Sequence, residues 1–220
     1  GTVIHKVLEE FYRAKMIGEK LLLKDLHELF KTIWKKVTTE RADIQFQDGQ
    51  NPETLSMMGV DLLTVWFNKL QEDNFQVIGV EEAFSFNLPG ISAPIIGAID
   101  LLETDESGAL IITDFKTSGR SYSVDEVDRN QQLTLYQMAM KRNGHVGHEI
   151  LLKFDTLIKT KTPKVEVHRY PARTDAHFRR LFAVIRAYLD DLDAGRFVFR
   201  PGFGCGMCDL RNTHCRAWSG

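Results

Sequence analysis

The chain has little cysteine and places all of it at one end: Cys205, Cys208 and Cys215 lie within the last sixteen of 220 residues. An odd number clustered in this way excludes a disulfide framework spanning the fold and fits a reducing compartment, so a cytoplasmic location is expected. Long hydrophobic runs are also missing. The most apolar stretch, Ala93 to Leu102, is interrupted by Gly97 and Asp100, well short of the roughly 18 apolar residues a membrane span needs; no membrane partner is expected. Net charge is nearly absent, with 28 Lys and Arg against 30 Asp and Glu, and taken whole this balance announces neither nucleic acid nor an acidic ligand. Internal repeats, low-complexity segments and a signal peptide are lacking too. Gly1 in place of Met suggests a fragment or a trimmed sequence with something missing upstream.

What is present, 43% hydrophobic and 26% charged residues, is ordinary for one globular domain or two small ones. Apolar residues recur at helical spacing from Val3 to Tyr12 and from Leu22 to Val37, and Asn51-Pro52 reads as a cap and first turn opening a helix to about Gln71. From Phe75 the pattern changes to Val-, Ile- and Phe-rich strands, Phe75 to Leu88, Ile95 to Glu103 and Ala109 to Lys116, separated by turn sequences. One helix from about Val124 to Arg142, strands His148 to Ile158 and Val165 to Tyr170, and a helix Asp175 to Ala194 complete the order. This predicts an α/β fold with one central sheet flanked by helices. It divides into a helical part (1–73), an α/β core (74–194) and a Cys-containing tail (195–220), all within a single domain.

The chemistry is concentrated in two strands. Asp100 ends Gly97-Ala-Ile-Asp, and Asp114-Phe-Lys116 sits inside an otherwise apolar strand. Alternation along a strand puts Asp114 and Lys116 on one face, and charges in such a strand are costly unless paired or metal-bound. If the two strands form a hairpin, Asp100 and Asp114 converge, and two carboxylates beside a backbone carbonyl suit Mg²⁺ or Mn²⁺. The alternative is a structural ion pair. Glu81, with Glu82 as a competitor, is a possible third carboxylate, Gln132 and Tyr136 lie one helical turn apart, and His5 lies on the first helix.

Taken in order, Gly1-x-x-x-His5, Glu81-x-x-Phe84, Gly97-x-Ile-Asp100, Asp114-Phe-Lys-Thr117 and Gln132-Leu-x-x-Tyr136 resemble the PD-(D/E)XK nuclease superfamily over almost the whole chain. The closer likeness is to its RecB-like branch, which includes the AddB nuclease domain and CRISPR-associated RecB-like exonucleases. Ile99 stands where the family name has proline, which leaves the ligand position intact. The resemblance implies a restriction-endonuclease-like core with a mixed sheet. It also implies a Mg²⁺- or Mn²⁺-dependent DNA nuclease, an exonuclease on single strands or ends, working in recombination, repair, phage or CRISPR-related processing. His5, Asp100, Asp114 and the carbonyl of Phe115 are then metal ligands, Lys116 the catalytic lysine, Glu81 an accessory acid, and Gln132 and Tyr136 organise the site and the DNA. Two alternatives are a DNA-binding or scaffold module that does not cut, and the nuclease part of a longer helicase–nuclease acting with a helicase or other recombination or CRISPR proteins.

The tail pattern Cys205-Gly-Met-Cys208 with Cys215 has metal-type spacing. The resemblance implies an iron–sulfur cluster whose fourth cysteine is expected upstream of Gly1. A zinc site with His214, or three uncommitted thiols, are the alternatives. Finally, residues 141–180 hold ten Lys and Arg against four acids, so the rest of the chain is acidic. The even total therefore conceals a basic strip fit to follow phosphates, unless it is simply a solvated hairpin. Arg120, Arg129 and Tyr122, just past the Lys116 strand, are the nearer candidates for contact with DNA.

Overall fold

The computed structural model describes residues 1–41, 44, 46, 49–70, 75–91, 93–145 and 147–196, and in the tail residues 202, 204, 205, 208, 210, 211, 213 and 215. These form two compact units, Gly1–Thr174 and Asp175–Gly220.

The first unit opens with three helices, α1 (Thr2–Met16), α2 (Leu23–Glu40) and α3 (Pro52–Leu70). Their starts are fixed locally. The Asp25 carboxylate accepts the Leu22 N–H (2.8 Å). At α3, Asn51 Oδ1 accepts the Thr54 N–H (2.8 Å) while Thr54 Oγ1 accepts the Asn51 N–H (3.2 Å), a reciprocal cap ahead of Pro52. The spacing of Val3, Ile4, Val7, Leu8, Phe11 and Tyr12 gives α1 one apolar face, buried with Leu26, Leu63 and Trp66 of the other helices and Leu101, Phe115 and Leu157 of the sheet. At Gly59 of α3 a Cβ would lie 2.0 Å from Phe30 Cζ, so glycine is what lets α2 and α3 approach.

The sheet has the order β1 (Gln76–Phe86), β2 (Ile95–Thr104), β3 (Leu110–Ser118), β4 (Ile150–Ile158) and β5 (Lys164–Pro171). All neighbours are antiparallel except β3 and β4, which run parallel. A parallel pair needs a crossover, supplied by α4 (Val124–Asp128) and α5 (Gln131–Arg142). The sheet is thus mixed and flanked by helices, as the sequence implied. The single helix expected from Val124 to Arg142 is, however, two. Arg129 ends the first, and Asn130 turns extended and accepts the Leu133 N–H on its side chain (3.0 Å), because asparagine caps more readily than it continues a helix.

The second unit contains α6 (Asp175–Asp193). It ends where Gly195 adopts φ +63° and the Arg196 N–H reaches back to the Asp191 carbonyl (2.8 Å), a glycine-dependent stop. Among the described residues no helix is long and apolar enough to cross a membrane.

Candidate active site

The candidate residues meet where β2 and β3 part. Their ladder runs from Thr104↔Leu110 to Leu101↔Thr113, and the next position would set Asp100 opposite Asp114. There the pairing stops: the Phe115 N–H donates to Asp100 Oδ2 at 2.8 Å, so a side chain takes the place of a main-chain acceptor. On the other side of β2, Val80↔Leu101 and Glu82↔Ile99 bracket Glu81 and place it opposite Asp100. Glu81, Asp100 and Asp114 therefore form one row across three strands. Glu81 also has φ +50°, the one non-glycine described residue in the left-handed region, a conformation that is costly and concentrates at functional sites.

Alternation along β3 sends Phe115 to one face and its neighbours to the other. Phe115 stacks on Tyr12 (5.7 Å, 26°) and meets the His5 ring edge to face, so α1 packs against this residue and brings His5 Nδ1 to 3.8 Å from Asp100 Oδ2. Gly1, at the start of α1, helps this approach, since a Cβ there would stand 3.0 Å from Thr117 Oγ1. On the opposite face Lys116 Nζ donates to Asp114 Oδ1 (2.9 Å), lies 2.7 Å from Oδ2, and donates to Gln132 Oε1 (2.8 Å). Gln132 Nε2 in turn donates to Tyr136 Oη (2.6 Å). The i, i+4 spacing on α5 thus becomes a relay that fixes the lysine head.

Electrostatics follow burial. Asp114 is wholly inaccessible, and desolvation pushes its carboxyl up to about 6 despite Lys116. Burial, joined by the charges of Asp100 and Glu9, raises Glu81. His5 is lowered by burial, with Asp100 opposing the shift. Tyr136 is raised by desolvation and by Asp114, so it remains a neutral donor. Glu9, one turn beyond His5 on the same helix face, is a contributor that sequence reading missed; the i, i+4 spacing was the available signal.

The motif residues between the acids have packing roles. A Cβ at Gly97 would lie 2.6 Å from Phe84 Cζ. The bare glycine therefore lets its cross-strand partner Phe84 lie over β2 and meet Tyr136 edge to face (6.0 Å, 78°). Glu81-x-x-Phe84 and Gly97-x-x-Asp100 interlock in this way.

A family model for the PD-(D/E)XK nuclease superfamily matches residues 1–216. The chain belongs to this superfamily. No curated protein matches it. Among solved structures, the "Putative exonuclease" from Eubacterium rectale is similar over 95% of this chain and 72% of that one, at 11% identity and a TM-score of 0.50. SSO0001 is similar over 87% and 97%, at 14% identity and 0.45. The likeness to the E. rectale protein is one of fold.

For a superfamily whose members typically use a divalent cation, the donor types here are suitable: two carboxylates, an imidazole and the Phe115 carbonyl are hard or borderline ligands. Among the described residues, no three His, Cys, Asp or Glu side chains close around a common point. Lys116 holds the Asp114 carboxylate, and Asp100 accepts from Phe115.

The two arginines expected to contact DNA have acidic partners within the chain. Arg120 is in a bidentate pair with Glu126 (2.9 and 2.5 Å), and Arg129 lies 3.3 Å from Asp125. The basic strip is also smaller than its sequence. Lys153 is buried 3.6 Å from Glu103, and Arg173 is buried with Nη2 on the Val127 carbonyl (2.7 Å), because each compensates polar groups inside the unit. In the tail, the Gly202 N–H donates to Cys205 Sγ (3.3 Å) and the Cys208 N–H to the Cys205 carbonyl (3.4 Å). Three cysteines supply one ligand fewer than a tetrahedral site needs, and His214 lies outside the described residues.

Proposed function

We propose that this chain is a RecB-like nuclease that hydrolyses DNA phosphodiesters with Mg²⁺ or Mn²⁺, acting as an exonuclease on single strands or ends in the cytoplasm. The observation that carries this reading is the row Glu81, Asp100 and Asp114 across three strands, with Lys116 held against Asp114. An exonuclease mode draws its support from the resemblance and from the name of the E. rectale neighbour. A process such as recombination, repair or CRISPR-related trimming, with its protein partners, rests on the resemblance alone.

Asp100, Asp114, His5 and the Phe115 carbonyl would hold the cation, which supplies Lewis acidity and lowers the pKa of a bound water. Lys116, fixed by Gln132, orients the attacking water and offsets charge developing on the phosphate oxygens. Tyr136 and Gln132 keep that ammonium in place, while Glu81, its proton affinity raised by burial, takes a proton at the edge of the site. In the tail, Cys205, Cys208 and Cys215 are proposed as three of the ligands of an iron–sulfur cluster; a visible absorbance band in protein prepared without oxygen is the check.

The deciding experiment is cleavage of single-stranded and duplex DNA with Mg²⁺ or Mn²⁺ by wild type, Asp114→Ala and Lys116→Ala. Each variant is expected to lose about 10²–10³-fold in rate. Wild-type rates in either variant would overturn the mechanism.

A further inference from the structure

One arrangement on the Lys116 face of the sheet is not used by the chemistry above. Lys116 Nζ lies 5.7 Å over the ring of Phe154 on β4. Tyr122 meets Phe154 edge to face at 5.2 Å and 88°, and the Arg120 guanidinium lies 5.9 Å from the centre of the Tyr122 ring. A row therefore runs outward from the lysine, through two rings, to an arginine that is 68% exposed. The segment carrying it is pinned: Ser121 Oγ donates to Glu166 (2.8 Å), Lys164 Nζ donates to Ser121 Oγ (3.2 Å), and Ser123 caps α4.

Arg120 has already committed its edge. Nη1 donates to Glu126 Oε2 (2.9 Å) and to the Ser121 carbonyl (2.9 Å), and Nη2 donates to Glu126 Oε1 (2.5 Å). Glu126 is fixed in turn by the Ser123 N–H (2.9 Å). The hydrogen bonds from Arg120 hold the Glu126 carboxyl down to about 2, so the pair stays charged at ordinary pH. A guanidinium recognises a ligand either through its forked edge or through its flat faces. Here the fork is occupied by a carboxylate, so a phosphate would have to displace Glu126, whereas a face over Tyr122 is compatible with the pair.

We propose that Tyr122 and Arg120 form a stacking platform for one unpaired nucleobase of the bound strand, with Glu126 as the positioning residue that holds the guanidinium beside the Tyr122 ring. The proposal rests on the nuclease reading above and assigns the residues by which it would select an unpaired strand or a frayed end. A base inside a duplex has both faces covered by its neighbours and cannot use the platform, while any unstacked base can.

The test measures binding rather than cleavage. The full chain in EDTA is titrated by fluorescence anisotropy against a short labelled oligodeoxythymidylate, and the same strand is made with an abasic residue at each position in turn. Arg120→Lys keeps the charge and removes the plane. It is expected to weaken binding about tenfold, and the loss disappears when the abasic residue falls at the stacked position. Tyr122→Leu behaves the same way, and Tyr122→Phe binds like wild type. Arg120→Lys binding within twofold of wild type, or a loss that persists at every abasic placement, overturns the platform. A wild type that binds no single strand yet cuts duplex removes the platform and leaves the nuclease reading. A wild type that cuts nothing with Mg²⁺ or Mn²⁺, while showing the base-dependent loss, does the reverse.

Discussion

Two acid–lysine pairs lie in the same sheet, and they behave differently. Asp114 and Lys116 are neighbours on β3, in contact at 2.7 Å, with the acid inaccessible and the lysine about a quarter exposed. Glu103 of β2 and Lys153 of β4 lie 3.6 Å apart, and both are almost completely buried, with Lys15 of α1 a further 3.7 Å from the same carboxylate. The first pair has one end open to solvent and side-chain partners from α5. The second is enclosed beneath the helices. A pair with one open end can exchange partners with an incoming ion or phosphate, whereas an enclosed pair can only be kept or lost. Access, more than charge, separates a reactive pair from a structural one.

Substituting each lysine by methionine tests this contrast. Lys153→Met is expected to lose about 1–3 kcal/mol of stability in urea unfolding, because it takes one of two lysines from the buried Glu103 carboxylate, with the residual folded protein retaining its cleavage rate. Lys116→Met also leaves a buried carboxylate and should lose stability as well, but it alone should slow cleavage, by about 10²–10³-fold. The opposite pattern would reverse the assignment of the two pairs. A smaller effect is expected where glycine permits close packing. Gly59→Ala drives a methyl into Phe30, and Gly97→Ala drives one into Phe84; each should cost about 1–3 kcal/mol, and only Gly97→Ala should also slow cleavage, since Phe84 supports Tyr136.

The last effect is one of pH. In the folded protein the Asp114 carboxyl titrates at about 6, above its unfolded value of 3.8. Below pH 4 it is protonated in both states and contributes no penalty. As pH rises from 4 to 6, only the unfolded chain ionises freely, so metal-free wild type should lose on the order of 2–3 kcal/mol relative to Asp114→Asn, with no further loss above 6. A constant difference across that window in thermal melts would show that Lys116 compensates the burial fully.

Much of the site was legible because it is written in local rules. Period two placed Asp114 and Lys116 on one face, period 3.6 gave α1 its buried stripe and set Gln132 beneath Tyr136, and Asn51-Pro52 marked the start of α3. The break at Asn130 was missed because a capping side chain competes with helix continuation in a way that apolar spacing does not register. The choice between Glu81 and Glu82 was also illegible. It depends on the register of β1 against β2 and on a left-handed backbone at Glu81, and a period of two gives neither.

The sequence by itself determined which residues carry charge within apolar strands, and so where chemistry could be. Tertiary structure decided which of those charges can act. It buried Lys153 and Arg173 out of the basic strip, occupied the fork of Arg120 with Glu126, and left the head of Lys116 partly exposed. The physical reason is that desolvation and partner geometry depend on neighbours distant in the chain, while residue type and spacing record only what is near.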